Sequence, residues 1–119
     1  MNKFKFRVWD IKNKKMFYPD LIAISRIGAV RIDYNINFLP GDSVIQQFTG
    51  LQSETGRDIY EGDILNSKAC RYKVIWEDGC WKAESIMGIN VGNKRLLNDV
   101  KDYSFIIGNI FENPELLTS

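Results

Sequence analysis

Arg71-Tyr72-Lys73-Val74-Ile75-Trp76-Glu77-Asp78-Gly79-Cys80-Trp81-Lys82-Ala83-Glu84-Ser85 decides the fold class of this chain. Asp78-Gly79 stands between two β-rich runs, and a type I′ turn needs positive φ at both central residues, which Asp-Gly tolerates. That turn sets a register in which Glu77 faces Cys80, Trp76 faces Trp81, Ile75 faces Lys82, Val74 faces Ala83 and Lys73 faces Glu84. One face then collects Tyr72, Val74, Trp76, Trp81 and Ala83. The other carries Lys73, Glu77, Lys82 and Glu84 with Ile75 and Cys80. An aromatic cross-strand pair and an opposite-charge pair each contribute roughly 0.2–1 kcal/mol, and both favour this register. Cys70 lies beyond the far end of the pairing from Cys80. A bridge needs Cα atoms within about 7 Å, so both thiols are expected free.

Strand signals continue outward from this hairpin. Lys3 to Trp9 places Phe4, Phe6 and Val8 on one side and Lys5 and Arg7 on the other, the period-two alternation of a half-buried strand. A polar stretch follows, and Met16-Phe17-Tyr18 completes an opening hairpin whose loop carries Lys12, Lys14 and Lys15. Leu21–Ser25, Ala29–Asp33, Val44–Thr49 and Ser104–Gly108 read as further strands. Glu61-Gly62-Asp63 reads as a tight turn feeding Ile64-Leu65. Arg95–Lys101 is expected to form one or two helical turns. Asn113-Pro114-Glu115 predicts a short C-terminal helix, with Asn113 as N-cap and Pro114 at the first helical position. The expectation is an all-β domain over residues 1–119. N-terminal β-hairpins occupy 1–44, and a small barrel-like core of five or six strands, with the rhythm of SH3-like barrels, occupies 45–119.

Composition bounds the function. The 119 residues are 45% hydrophobic, enough for a core, and 16 basic against 15 acidic side chains leave a formal charge of +1. A dedicated nucleic-acid binder shows a clearer basic excess. There is no histidine, which removes the commonest general base near neutral pH and the commonest zinc ligand. With two cysteines, a zinc site would need carboxylates or a second chain. No cofactor is expected. The chain opens without a charged-then-apolar leader, and its apolar runs are too short to cross a bilayer, so a cytosolic protein without membrane contact is expected.

Three clusters have both a functional and a plain reading. Asp58, Glu61 and Asp63 are candidate ligands of a hard cation in a metal-dependent enzyme, or turn-shaping and solvated carboxylates. Trp76 and Trp81 are candidate stacking platforms for single-stranded nucleic acid, or core. Lys3, Lys5, Arg7, Lys12, Lys14 and Lys15 set six bases against one acid, Asp10, in the first fifteen residues. They could track a phosphate backbone, or form a solvated strand face and hairpin tip that blunts an edge. Lys5, Lys12, Lys14, Lys15 and Trp81 are thus the candidate nucleic-acid contacts.

Four motifs in order carry a family resemblance. They are Lys5–Asp10 with Asn13–Met16, Phe48-Thr49-Gly50-Leu51, Gly56–Ile64 (Gly-Arg-Asp-Ile-Tyr-Glu-Gly-Asp-Ile), and Ile107–Leu116 (Ile-Gly-Asn-Ile-Phe-Glu-Asn-Pro-Glu-Leu). Together they resemble the YopX-like family of phage and prophage proteins over nearly the whole chain, with 21–44 and 86–101 unmatched. The resemblance implies a β-rich, phage-derived protein working in the cytoplasm of a bacterial host. It implies no reaction and assigns no site residues. The expectation is a non-enzymatic accessory protein acting by binding or self-assembly, as a homo-oligomer, with nucleic acid or a host protein as further partners.

Overall fold

A computed structural model describes residues 5–33 and 35–118; Lys3 and Phe4, expected in the first strand, lie outside them. The chain is mostly strand. In order these are β1 (Phe6–Asp10), β2 (Lys15–Phe17), β3 (Ile22–Ile24), β4 (Val30–Ile32), β5 (Ile36–Phe38), β6 (Ser43–Gln52), β7 (Asp58–Tyr60), β8 (Asp63–Asn66), β9 (Cys70–Glu77), β10 (Cys80–Gly88), β11 (Lys94–Leu96) and β12 (Phe105–Asn109). One helical turn, α1 (Leu97–Val100), leads into a 3-10 turn at Lys101–Tyr103, and a second 3-10 turn covers Pro114–Leu117.

The strands form three sheets, ordered β2-β1-β6-β7, β11-β10-β9-β8-β12 and β3-β4-β5. The five-stranded sheet curls into half a barrel, leaving β11 and β12 as edges. The β9–β10 hairpin has the register that Asp78-Gly79 dictates, from Glu77–Cys80 to Lys73–Glu84, with a bulge between Ser85 and Met87. Asp78 and Gly79 have φ of 52° and 78°, the left-handed conformations of that turn. Cys70 and Cys80 sit at opposite ends of the hairpin and are free.

Tyr72, Val74 and Ala83 are buried with Ile59, Leu65, Leu97 and Val100 in the main core. The tryptophans divide. Their rings meet edge to face at 4.9 Å, but Trp81 packs partly on the core while Trp76 is 55% exposed. The neighbouring strands explain this. β8 reaches only to Lys73 and β11 only to Lys82, so the hairpin tip projects past both and nothing covers Trp76.

β1 lies in the middle of its sheet, pairing Val8–Asp10 with β2 and Phe6–Asp10 with Gln47–Ser43 of β6. Residues on either side of position 44 therefore share a sheet. Val8 also packs with Val30, Ile32 and Phe38 of the three-stranded sheet. β5 had no counterpart among the expected strands. Within Arg95–Lys101 the helical part begins at Leu97, with α1 running into the 3-10 turn at Lys101, because Lys94–Leu96 pairs instead with Glu84–Lys82. The C-terminal turn is 3-10 with Pro114 at its start, and the Asn113 side chain does not cap it. Asn113 Oδ1 instead accepts the Asn109 N–H at 3.2 Å. No helix among the described residues is long and apolar enough to cross a membrane.

Truncating the fully buried Ile59 to alanine should cost about 2–5 kcal/mol, whereas Trp76→Ala should cost less than half of that. Chemical denaturation of both variants measures the difference.

Candidate functional site

Arg7 and Gln46 are register partners across β1 and β6, and both side chains are buried. A buried guanidinium must have its donors satisfied and its charge balanced. Arg7 Nε donates to Gln46 Oε1 at 2.8 Å and Nη2 to the Glu61 carbonyl at 3.0 Å. Nη1 pairs with Asp63 Oδ1 at 2.8 Å, and the guanidinium lies 4.9 Å from the Tyr60 ring centre. Asp63 Oδ2 accepts the Tyr60 N–H at 2.8 Å, closing the turn between β7 and β8. Gly62 makes room for this arrangement. Its φ is +83°, and a Cβ there would run into the Gln46 amide. Tyr60-Glu61-Gly62-Asp63 is thus a receptor for Arg7, to which each residue contributes a different group.

Burial pushes the Asp63 carboxyl above the ordinary aspartate range, with Arg7 opposing it. Asp58 is held below that range, chiefly by Lys5. Asp58 Oδ2 accepts from Lys5 Nζ at 2.9 Å, and Oδ1 accepts from Gln52 Nε2 at 3.1 Å. The three candidate metal ligands are therefore engaged separately: Asp58 by Lys5, Asp63 by Arg7, and Glu61 through its backbone carbonyl. Among the described residues no three His, Cys, Asp or Glu side chains form a group that could hold a metal ion.

A cleft of about 510 Å³ opens over this network, between Arg57, Asp58 and Tyr60 on one side and consecutive residues Ile106–Asn109 on the other. Its far end is the Asn109 turn. Asn109 Oδ1 accepts the N–H groups of Phe111 (3.0 Å) and Glu112 (2.8 Å), and its Nδ2 donates to Glu112 Oε1 at 2.7 Å. The Ile110 N–H donates to the Gly62 carbonyl at 2.9 Å, and Phe111 stacks on Trp9 at 5.5 Å. Two of the sequence motifs, Gly56–Ile64 and Ile107–Leu116, thus meet at this cleft. Burial pushes up the Tyr60 hydroxyl beside it.

The candidate nucleic-acid contacts are dispersed. Lys12 and Lys14 lie in the β1–β2 turn and Lys15 opens β2, opposite Asp10. Lys14 adopts a φ of 53°. None of the three forms an ion pair among the described residues. Asp10 is occupied by Asn13, which donates through its N–H and Nδ2 at 3.1 and 2.8 Å and lowers the Asp10 pKa. Lys5 sits at the other end of β1 on Asp58, and Trp81 belongs to the other sheet. Lys82 and Lys94, on the same sheet as the tryptophans, both pair with Glu77. Arg7, expected among the basic residues that could track a phosphate backbone, is instead buried on Asp63, and Gln46 and Asn109 were not singled out as site residues. The signal for Arg7 was Val8-Trp9, two successive large apolar residues that break the alternation and mark a strand covered on both faces.

Arg7→Met should cost about 3–5 kcal/mol by stranding Asp63, and adding Asp63→Asn, which still accepts the Tyr60 N–H, should recover part of it. Thermal melts across pH test Asp58. Its lowered pKa contributes stability that is present above about 3.9 and is lost as pH falls through the folded value. Asp58→Asn should flatten the acid fall in Tm below about pH 4. Asp63 acts with the opposite sign, since a raised carboxyl pKa favours the fold on the acid side.

The profile of the family described as YopX protein matches residues 5–118. The crystal structure of protein EF1440 from Enterococcus faecalis superposes with a TM-score of 0.70 at 28% identity, covering 96% of this chain and 97% of that one. Protein yopX from Bacillus subtilis superposes with a TM-score of 0.68 at 18% identity, covering 97% and 98%; at that identity the likeness speaks for the fold alone. No curated protein matches the chain. With the match running across both motifs of the cleft, the chain belongs to the YopX family.

Proposed function

We propose that this protein is a phage or prophage accessory protein of the host cytoplasm that works by binding, through association of its own copies, and not by catalysis. The observation that carries the reading is the outer sheet β3-β4-β5. It and its loops leave Ile24 59%, Ile27 71% and Leu39 72% exposed, and Ile24 and Leu39 line a groove of about 450 Å³ whose only charged lining residue among those described is Arg31. Clustered apolar exposure of this kind is uncommon on monomers and typical of association surfaces. The pairing of Lys5 with Asp58 and of Arg7 with Asp63 supports the same reading, since it leaves those carboxylates stabilising the fold.

Light scattering on a size-exclusion column should give a discrete oligomer, and Ile24→Asp/Leu39→Asp should reduce it to the monomer mass with an unchanged circular dichroism spectrum. A wild-type protein that elutes as a monomer at every concentration would overturn the reading.

A second reading, binding to nucleic acid, is favoured by the three lysines at the β1–β2 turn, which form no ion pair among the described residues. It predicts retention on mixed nucleic acid at low salt that high salt reverses. Lys12→Ala/Lys14→Ala/Lys15→Ala together should abolish that retention; binding unaffected by the triple change sinks this reading.

A further inference from the structure

Five charged side chains line the cleft over the Arg7 receptor: Arg7, Arg57, Asp58, Asp63 and Glu112. The fold uses three of them for itself. Arg7 and Asp63 neutralise each other at 2.8 Å, and Asp58 is held by Lys5 at 2.9 Å. Arg57 and Glu112 remain, one of each sign, and neither forms an ion pair among the described residues. Both are exposed, yet each is placed by its surroundings. Glu112 Oε1 accepts from Asn109 Nδ2 at 2.7 Å, and the Glu112 N–H donates to Asn109 Oδ1. One carboxylate oxygen is thereby fixed, while Oε2 has no partner among the described residues. Arg57 lies close enough to Asp63 to draw its carboxyl pKa downward, and Asp63 is the β8 partner of Asn109. The two unmatched charges therefore flank the same Asp63–Asn109 pair without meeting each other.

The walls suit an organic molecule. A volume of about 510 Å³ falls within the range of small-molecule sites. Ile106, Ile107 and the Tyr18 ring supply apolar contact. Tyr18 is 59% exposed and stands edge-on to Tyr60 at 5.7 Å, on the border with a second pocket of about 260 Å³. An arginine has five N–H donors. Those of Arg7 find three acceptors among the described residues, Gln46, the Glu61 carbonyl and Asp63, which leaves two N–H groups of a cleft-lining side chain uncommitted. Charge balance then selects the class of ligand. A bare anion such as phosphate would face Asp58, Asp63 and Glu112, and a bare cation would face Arg7 and Arg57; like charges at close quarters cost affinity. A ligand with one charge of each sign meets neither objection.

We propose that the cleft binds a small peptide-like zwitterion, with its carboxylate on Arg57, its ammonium on Glu112 and an apolar side chain against Tyr18 and Ile107. A guanidinium takes a carboxylate through two parallel hydrogen bonds, and such charge-assisted bonds are roughly twice as strong as neutral ones. A dipeptide with apolar side chains is the simplest molecule of this description. The site is additional to the self-association reading, and it shares no lining residue with the groove on the β3-β4-β5 sheet.

The test is calorimetric titration of the full chain with dipeptides built from Ala, Val, Leu and Phe, repeated for the tightest binder as its N-acetyl and C-amide forms. Each cap removes one charge and should weaken binding about tenfold. Arg57→Gln should make acid and amide bind equally while leaving the effect of acetylation. Glu112→Gln, which keeps an oxygen for the Asn109 amide, should make amine and acetyl forms equal while leaving the effect of amidation. Both variants should keep the circular dichroism spectrum of the wild type, since both side chains are exposed. Inorganic phosphate should not compete. Absence of binding by every dipeptide, capped forms that bind as well as the free one, cap effects untouched by both substitutions, or competition by phosphate would overturn the proposal. Self-association through Ile24 and Leu39 is read from a different pair of substitutions, so either idea can fail alone.

Discussion

A guanidinium buried at the centre of a β-sheet constrains most of this molecule. Arg7 cannot sit at 2% exposure without an anion and without acceptors for its remaining donors, because an unpaired buried charge costs several kcal/mol. Those partners come from three separate parts of the chain: Gln46 on β6, the Glu61 carbonyl in the turn after β7, and Asp63 at the start of β8. Satisfying one side chain therefore fixes the entry of β1 into the sheet and the angle at which β7 bends into β8. It also demands glycine at position 62. The C-terminal segment leans on the same point, through Ile110 on the Gly62 carbonyl and Phe111 on Trp9.

The electrostatics of the chain follow from that arrangement. A formal charge near zero conceals two populations of cations. Lys5, Arg7, Lys73, Lys82, Lys94 and Lys101 are matched to acids in the fold, while the lysines of the β1–β2 turn and Arg57 have none among the described residues. A count of bases along the first fifteen residues merges the two. The paired set includes the contacts that tie β1 to β7 and β8.

Legibility in the sequence tracked how local each constraint is. The β9–β10 register was readable because Asp78-Gly79 admits essentially one turn, and the turn alone fixes every pair up to Lys73–Glu84. The all-β class, the free thiols and the family followed from similarly compact signals. Arg7 was misplaced because alternation tells which residues share a face but not whether that face is covered. The cover, β7 and the turn after it, lies more than fifty residues away. Trp76 escaped the core for the converse reason, since burial at a hairpin tip depends on where neighbouring strands stop. β5 was missed because Ile-Asn-Phe is too short to show a period. The Gly56–Ile64 motif was visible as a motif; its role as a receptor for one arginine needed the third dimension.

The distance along the chain between Arg7 and its receptor also sets a timetable. Fifty-four residues separate Arg7 from the Glu61 carbonyl. At synthesis rates of about 5–20 residues per second, β1 leaves the ribosome roughly 3–10 seconds before its acceptors exist. Until β6 follows at Ser43–Gln47, Phe6, Val8 and Trp9 have the β2 hairpin and the β3-β4-β5 strands to lean on, and a two-stranded hairpin alone is marginal in water. β1 is thus secured well after it is made, and Arg7 travels without its receptor while fifty-four further residues are added.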